Sequence, residues 1–200
     1  MKAIFPKIVI ARRSRSNLNR IAVFLDRDGV INRYPGDTKY VTSWEEFRFL
    51  PNAKKAIALL TSKGYSVFVI SNQAGVGKGI YSQDTLNDIT GNMLKALEKS
   101  KAKVTAVFYC THRNEDNCSC RKPKDGLIKL AIKGTKIELK SSFFVGDTIR
   151  DVLTAKTAGC KSILVLSGKE KLPNRSQWQN QPDYIFKGLY EAARFIATTS

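Results

Sequence analysis

Two aspartates separated by one residue, Asp26 and Asp28, have the clearest potential for chemistry in this sequence. They follow the apolar run 21–25, which is typical of a buried strand in a parallel sheet. Gly29 allows the chain to turn away directly after them. Open α/β sheets place their chemistry beyond the carboxyl ends of the strands. Two carboxylates at that point suit a divalent cation, a nucleophile and a proton shuttle, so the segment predicts an enzyme.

Three later segments also end apolar runs with polar residues. They are Ser71-Asn72-Gln73, Arg121-Lys122-Pro123 and Gly146-Asp147-Thr148. An acidic loop after a strand is common by itself, but the carboxyl ends of parallel strands meet at one edge of a sheet. We therefore expect all of these side chains to lie close together, and the combination favours a phosphatase.

Three of the four cysteines and the only histidine fall within eleven residues, as Cys110-x-His112-x5-Cys118-x-Cys120. Three thiolates and one imidazole complete a tetrahedral Zn²⁺ shell with no open position, which predicts a structural site. The alternative, reduced cysteines in a loop, is the weaker one because free cysteines prefer the core, as we expect for Cys160. The spacing suits a reducing cytoplasm. With the histidine in the metal site, catalysis must depend on carboxylates rather than a His-dependent triad.

Length and charge limit the range of possible functions. The chain has 200 residues and a net charge of +17, and it contains 42% hydrophobic residues, which predicts one soluble domain. No apolar stretch approaches the ~20 residues of a membrane span. Residues 1–20 hold six Lys and Arg and no acid, so we predict a basic N-terminal extension before a domain at 21–200. The positive charge suits nucleic acid, an anionic surface or a phosphorylated substrate, or is simply a solvated basic surface.

Predicted strands and helices alternate along the chain, which indicates an α/β fold with a doubly wound, mainly parallel sheet and helices on both faces. Asn52 and Ser82 are predicted to cap two of the helices. The loop 75–79 is not a P-loop, because Lys78 is followed by Gly79. It is either a surface turn or an edge of the pocket.

The ordered segments Phe24 to Asn32, Ser71 to Gln73, Cys120 to Pro123 and Val145 to Asp147 resemble the four motifs of haloacid-dehalogenase-type phosphatases. The resemblance covers roughly residues 21–197. Within that superfamily the chain is similar to the zinc-containing, capless heptose-bisphosphate 7-phosphatases and their histidinol-phosphatase relatives. The resemblance therefore implies a capless fold with a zinc-binding loop.

The resemblance also implies the mechanism. Asp26 attacks the phosphorus and becomes an aspartyl phosphate. Asp28 protonates the leaving oxygen and then deprotonates the hydrolytic water. Mg²⁺ is held by the Asp26 carboxylate, the Asp28 backbone carbonyl and Asp147.

Four further residues receive roles from the same resemblance. Ser71 and Asn72 bind the phosphoryl group, and Lys122 neutralises its developing charge. Arg121 is a candidate clamp for a second phosphate, since a guanidinium binds phosphate in a bidentate way. Asp151, one helical turn after Asp147, could position Lys122 or a metal-bound water.

The substrate that we favour is D-glycero-D-manno-heptose 1,7-bisphosphate, with loss of the 7-phosphate. Thr148 departs from the basic residue that the heptose enzymes often carry after the Gly-Asp pair, and the gap between His112 and Cys118 resembles histidinol phosphatases. Histidinol phosphate is therefore the alternative substrate. The positive charge would also suit a polynucleotide 3′-phosphatase or a zinc module that binds anionic polymers. We expect a cytoplasmic monomer that acts on a phosphorylated sugar and has neither a membrane nor a nucleic acid as partner.

Overall fold

A computed structural model describes residues 8–9 and 20–199 as one seven-stranded sheet with helices on both faces. The strand order is β1-β4-β3-β2-β5-β6-β7. The strands are β1 (Ile8–Val9), β2 (Ala22–Leu25), β3 (Ser66–Asn72), β4 (Ala106–Cys110), β5 (Phe143–Gly146), β6 (Lys161–Val165) and β7 (Tyr184–Phe186).

Strands β2 to β7 are parallel, and β1 joins the edge strand β4 in the antiparallel direction. The predicted doubly wound, mainly parallel sheet is confirmed. Of the predicted extension 1–20, Ile8–Val9 adds a short strand to the sheet edge, and the segments 1–7 and 10–19 lie outside the described residues.

The described residues form six α-helices, five between the strands and one after β7. They are α1 (Ala53–Ser62), α2 (Ala74–Gly77), α3 (Gln83–Glu98), α4 (Gly126–Ile132), α5 (Ile149–Ala158) and α6 (Leu189–Thr198). The Ser82 hydroxyl accepts a 3.0 Å hydrogen bond from the Thr85 amide, so its predicted role as the cap of α3 is confirmed. Asn52 stands at the N-cap position of α1, as predicted, but its side chain accepts no hydrogen bond from the helix. Asn52 instead adopts a left-handed backbone (φ 59°), which asparagine tolerates better than most residues.

The side chains of each central strand alternate between two apolar layers. Val23 and Leu25 of β2 belong to the larger layer, which also contains the buried faces of α1, α3 and α6. Ala22 and Phe24 belong to the second layer, with the buried faces of α4 and α5. Burial on both faces explains why β2 reads as a continuous apolar run. The carboxyl end of β2, where Asp26 follows, is thereby fixed near the middle of the sheet.

Over residues 8–9 and 20–199 the chain contains no helix long and apolar enough to cross a membrane. In the same residues the connections at the carboxyl edge of the sheet are loops and short helices, and none forms an additional domain over that edge. The pocket at that edge is therefore open to solvent.

Candidate active site

A pocket of about 340 Å³ opens at the carboxyl ends of the central strands, a volume within the usual range for small-molecule sites. Every residue that the sequence suggested for catalysis, substrate binding or magnesium lines this pocket. They are Asp26, Asp28, Ser71, Asn72, Arg121, Lys122 and Asp147.

Lys122 connects two carboxylates at the floor of the pocket. Its Nζ lies 2.8 Å from Asp26 Oδ2 and 2.6 Å from Asp151 Oδ1. All three residues are buried. The Asp26 amide donates to the Val145 carbonyl of β5 at 3.0 Å, which fixes Asp26 between two strands. The predicted contact between Asp151 and Lys122 is present.

The charges on this floor are out of balance. Asp26, Asp147 and Asp151 each place one carboxylate oxygen within 4.8 Å of the others, and the Lys122 ammonium group pairs with two of them, Asp26 and Asp151. Burial raises the pKa of Asp26 to about 6 against the opposing effect of Lys122, and Asp151 adds to the increase. Burial and the neighbouring carboxylates raise the pKa of Asp147 well above its usual value. A set of buried hard oxygens with excess negative charge fits Mg²⁺.

Lys122 keeps its positive charge in this buried position. Burial alone would lower the pKa of Lys122, but the carboxylates of Asp151 and Asp26 outweigh that effect and raise it. Lys122 therefore stays cationic, as a group that neutralises phosphate must.

Asp147 is held by backbone that approaches it closely. The Lys169 amide donates to Asp147 Oδ2 at 2.8 Å. A Cβ at Gly168 would lie 1.9 Å from that oxygen, and one at Gly29 would lie 2.1 Å from it. Both glycines are therefore required for the carboxylate to occupy its position. Gly29 also has a positive φ of 83°, which excludes most other residues without strain.

The Asp28 carboxylate does not belong to the acidic cluster of Asp26, Asp147 and Asp151. Its partners are the side chains of Arg27, Asn32 and Gln73. The predicted magnesium contact of Asp28 was assigned to its backbone carbonyl, which is compatible with this orientation of the side chain.

Ser71 and Asn72 end β3 beside the pocket. Asn72 Oδ1 accepts from the Lys122 amide at 3.1 Å, and Asn72 Nδ2 donates to the Lys122 carbonyl at 3.3 Å. Asn72 thus holds the backbone of Lys122, whereas its predicted contact with phosphate stays a prediction. Ser71 Oγ accepts a 3.2 Å hydrogen bond from Gln73 Nε2.

Basic side chains surround the mouth of the pocket. Arg121 Nε donates to Asn114 Oδ1 at 2.6 Å and its Nη1 donates to the His112 carbonyl at 3.2 Å. These bonds hold the guanidinium of Arg121 at the pocket wall, and Lys39, Arg150 and Lys169 line the same pocket. The arrangement attracts an anionic ligand.

The predicted zinc ligands form one cluster at the end of β4. The three sulfur atoms of Cys110, Cys118 and Cys120 lie 3.4–3.6 Å apart, and His112 Nδ1 lies 3.2 Å from Cys120 Sγ and 3.6 Å from Cys110 Sγ. A tetrahedral shell with Zn–S bonds of about 2.3 Å has S···S edges of about 3.8 Å. The four atoms could therefore bind zinc with small adjustments.

Proton sharing within the cluster favours a thiolate. A hydrogen bond from Cys120 lowers the pKa of Cys110 to about 5, despite burial, and the same pair raises the pKa of Cys120. A thiolate is the form of cysteine that binds a metal. Cys160 lies in the core, as expected.

The comparisons with known proteins agree with this geometry. The HAD-hydrolase-like family model matches residues 119–192. The D-glycero-beta-D-manno-heptose-1,7-bisphosphate 7-phosphatase of Haemophilus ducreyi is 37% identical over 187 residues, which cover 90% of this chain and 100% of that protein. This chain belongs to the haloacid-dehalogenase-like phosphatases. It is a phosphoric monoester hydrolase.

Two further relatives support the assignment of this chain to the haloacid-dehalogenase-like phosphatases. The enzyme of the same name from Neisseria meningitidis is 32% identical over 87% of this chain and 93% of its own length. The crystal structure of D,D-heptose 1,7-bisphosphate phosphatase from B. bronchiseptica, complexed with magnesium and phosphate, has a TM-score of 0.83 and 31% identity, and covers 90% of this chain and 99% of that one.

Several residues of the phosphatase site were missed by sequence reasoning. Arg27 and Gln73 stand inside two of the motifs but received no role. Lys169 lies in the loop after β6, four residues beyond the end of the strand at Val165, so a search of the loops that follow the strands could have found it. Its Nζ also pairs with Asp37 across the mouth of the pocket. Tyr81 lies eight residues after Gln73 and belongs to none of the four motifs, and no sequence signal identifies it.

Proposed function

We propose that this phosphatase removes the 7-phosphate of D-glycero-D-manno-heptose 1,7-bisphosphate with Asp26 as the nucleophile. The observation that carries the proposal is one pocket in which Lys122 lies 2.8 Å from Asp26 and Arg121 stands at the wall. The first pair can transfer a phosphoryl group, and Arg121 can bind a phosphate that is not transferred.

In the proposed reaction Asp26 attacks the phosphorus in line and forms an aspartyl phosphate, while the leaving sugar oxygen takes a proton from Asp28. Asp28 then removes a proton from the water that attacks the intermediate. Lys122 offsets the charge on the phosphoryl oxygens, and the hydroxyl of Ser71 supplies a hydrogen bond to one of them. Asn72 keeps the Lys122 backbone in place.

Magnesium is the proposed cofactor, and Asp26, Asp147 and the backbone carbonyl of Asp28 are its proposed ligands. When bound, Mg²⁺ reduces the repulsion between the carboxylates and the phosphate dianion. The excess negative charge at the pocket floor supports this assignment. We propose structural zinc for Cys110, His112, Cys118 and Cys120.

The heptose substrate is supported by the names of the relatives and by the basic wall of the pocket. We further propose that residues 21–200 are the catalytic domain after a basic extension at 1–20, and that the protein is a cytoplasmic monomer. All four cysteines are free, three of them in the proposed zinc cluster, which supports a reducing compartment.

A phosphate-release assay with Mg²⁺ tests the substrate. The panel contains heptose 1,7-bisphosphate, histidinol phosphate and a 3′-phosphorylated oligonucleotide. We expect the highest kcat/KM for the heptose bisphosphate. Histidinol phosphate is included because the short gap between His112 and Cys118 and the uncharged Thr148 favour that alternative. A higher kcat/KM for histidinol phosphate or the oligonucleotide would contradict the proposal.

The variant Arg121→Ala tests the second-phosphate contact. Loss of a charge-assisted contact costs about 1.5–3 kcal/mol, so kcat/KM for the bisphosphate should fall by roughly one to two decades. Turnover of a heptose 7-monophosphate should change much less, because that substrate has no second anion.

Arg113→Ala is the matched control, since Arg113 lies in the same loop but its Nε donates to the Gly77 carbonyl instead of lining the pocket. Zinc content is measured in both variants to exclude damage to the loop. Equal losses for the bisphosphate and the monophosphate in Arg121→Ala would show that Arg121 is not the clamp.

A further inference from the structure

Arg27 is a fully buried arginine between the two aspartates of the first motif. It is among the largest side chains with essentially no exposure, at 0%. A cation removed from water is strongly unfavourable unless a partner compensates for the lost hydration. A charge in this position therefore indicates a specific partner.

That partner is Asp28. Arg27 Nε lies 3.2 Å from Asp28 Oδ1, and Arg27 Nη2 lies 3.1 Å from both Oδ1 and Oδ2. The third nitrogen, Nη1, has no hydrogen-bond partner within residues 20–199. The hydrogen bonds of Arg27 Nε and Nη2 thus all go to Asp28. The Tyr109 ring, with its centroid 5.8 Å from the guanidinium carbon, supports the group from β4.

Two amides hold the same carboxylate from other directions. Asn32 Nδ2 donates to Asp28 Oδ1 at 2.8 Å, and Gln73 Nε2 donates to Asp28 Oδ2 at 2.9 Å. The Tyr81 hydroxyl donates to Gln73 Oε1 at 2.7 Å. This last bond fixes which end of the Gln73 amide faces Asp28, because a tyrosine hydroxyl that donates must meet the oxygen.

This geometry limits where Asp28 can carry a proton. The carboxylate oxygens accept hydrogen bonds from the N–H groups of Arg27 on the side that faces it. A proton on that side of Asp28 would therefore be repelled by the N–H hydrogens of Arg27. A proton on Asp28 must therefore displace one of the donors. The neutral amides of Asn32 and Gln73 bind a carboxylate less strongly than a guanidinium does, so the exchangeable proton is confined to the directions that face these two amides. The Asp28 side chain keeps 21% exposure, and Asp28 lines the catalytic pocket.

We propose that Arg27 is a positioning residue that orients Asp28 for proton transfer to the leaving oxygen. This inference rests on the proposed role of Asp28 as the proton shuttle. It assigns a function to a side chain that makes no contact with the substrate in the proposed mechanism. The buried charge is retained because it fixes the direction of the proton.

The test compares two leaving groups in Arg27→Lys and Arg27→Met. For both substrates, kcat/KM reports the phosphorylation of the enzyme. The leaving group of p-nitrophenyl phosphate departs unprotonated, whereas that of phenyl phosphate needs a proton. General acid catalysis contributes about 10²–10⁴-fold, so Arg27→Met should lower kcat/KM for phenyl phosphate by about tenfold or more beyond its effect on p-nitrophenyl phosphate. Arg27→Lys keeps the positive charge but loses the two-nitrogen contact of the guanidinium with Asp28. The ratio of kcat/KM for p-nitrophenyl phosphate to that for phenyl phosphate should therefore lie between those of the wild type and Arg27→Met.

Three controls make the result specific. Thr90→Val removes the 3.1 Å hydrogen bond to the Tyr109 hydroxyl behind Arg27 without changing Arg27 or Asp28, and it should leave the ratio unchanged. Asp28→Asn should change the ratio most. Arg27→Lys in the Asp28→Asn background should have no further effect on the ratio, since Arg27 acts through Asp28. Thermal unfolding checks that each variant is folded.

The outcomes separate this inference from the proposed function. If Asp28→Asn lowers kcat/KM for both substrates equally, Asp28 is not the general acid. The proposed mechanism then fails, and the inference fails with it. The other outcome is that Asp28→Asn changes the ratio, whereas Arg27→Lys and Arg27→Met are folded and lower kcat/KM for both substrates equally. Arg27 then has only a structural role, and this inference alone is overturned.

Discussion

Asp151 Oδ1 accepts a 2.6 Å hydrogen bond from Lys122 Nζ, and this bond holds the ammonium group against Asp26. The other oxygen of Asp151, Oδ2, accepts from the Thr148 amide at 3.1 Å and from the Thr148 hydroxyl at 2.6 Å. The first turn of α5 thus places its own capping carboxylate against the catalytic lysine. Helix capping and positioning of Lys122 depend on the same side chain.

Asp151→Asn should therefore reduce both activity and stability. The neutral amide binds Lys122 less firmly, and weakening a buried charged hydrogen bond costs about 1–3 kcal/mol. We expect kcat to fall by about 10- to 100-fold, in proportion to that loss at the reacting centre. Steady-state kinetics and urea unfolding measure the two effects.

Thr148→Val is the control for this prediction, because it removes the hydroxyl cap but leaves the carboxylate on Lys122. It should cost about 0.5–2 kcal/mol of stability with much less change in kcat. Wild-type kcat in Asp151→Asn would contradict the assigned role of Asp151.

The cysteine and histidine cluster predicts about one zinc per chain, the capacity of one four-ligand site. Cys118→Ser should lose zinc and stability, because the binding energy of such a site is also folding energy. Activity should fall as well, since the loop leads from Cys120 directly to Arg121 and Lys122. Cys160→Ser is the control, and it should retain zinc because Cys160 lies outside the cluster. Elemental analysis of protein purified without chelator checks this, and absence of zinc would refute the assignment.

Asp183 predicts a pH dependence of stability. Partial burial would raise the pKa of Asp183, but hydrogen bonds from the Ser162 hydroxyl and amide, at 2.6 and 2.7 Å, outweigh it and lower the pKa. A carboxyl group whose pKa is depressed in the folded state stabilises the protein at pH values above its ordinary pKa of about 3.9. This contribution is lost as the pH falls through the folded-state pKa.

Asp183→Asn should therefore destabilise the protein by about 1 kcal/mol at pH 7, a value reduced by the exposure of the side chain. The difference in unfolding free energy between wild type and variant should shrink below about pH 3.9. Urea unfolding at pH 7 and at the lowest pH where both proteins remain folded measures it. A difference that stays constant with pH would show that the charge of Asp183 is not the cause.

The sequence predicts this sheet well because its central strands are buried on both faces and therefore contain uninterrupted apolar runs. Such runs locate Asp26 and Asp147 at strand ends, and the spacing of Cys110, His112, Cys118 and Cys120 predicts their cluster because zinc ligands are mostly local in sequence. The short strand β1 and its pairing partner are not predictable in this way, since two residues carry no periodic pattern.

Arg27 shows why part of the site could not be predicted. A charged residue in a loop between two aspartates is expected to be exposed. Its guanidinium packs against the Tyr109 ring of β4, and its partner Asp28 also accepts a hydrogen bond from Gln73 of another loop. These contacts join segments that are distant in sequence, and no local pattern encodes them. Asn52 occupies the predicted cap position without a capping hydrogen bond, because asparagine suits both a cap and a left-handed turn.

The most direct test of the proposed function is to trap the phosphorylated enzyme. Wild-type protein is mixed with substrate and Mg²⁺ and quenched during turnover, and borohydride then reduces any aspartyl phosphate to homoserine. Peptide mass spectrometry should find the change at position 26 alone, and Asp26→Asn should show neither the change nor turnover. Phosphate release at a near-normal rate by Asp26→Asn, or trapping at another residue, would contradict the account.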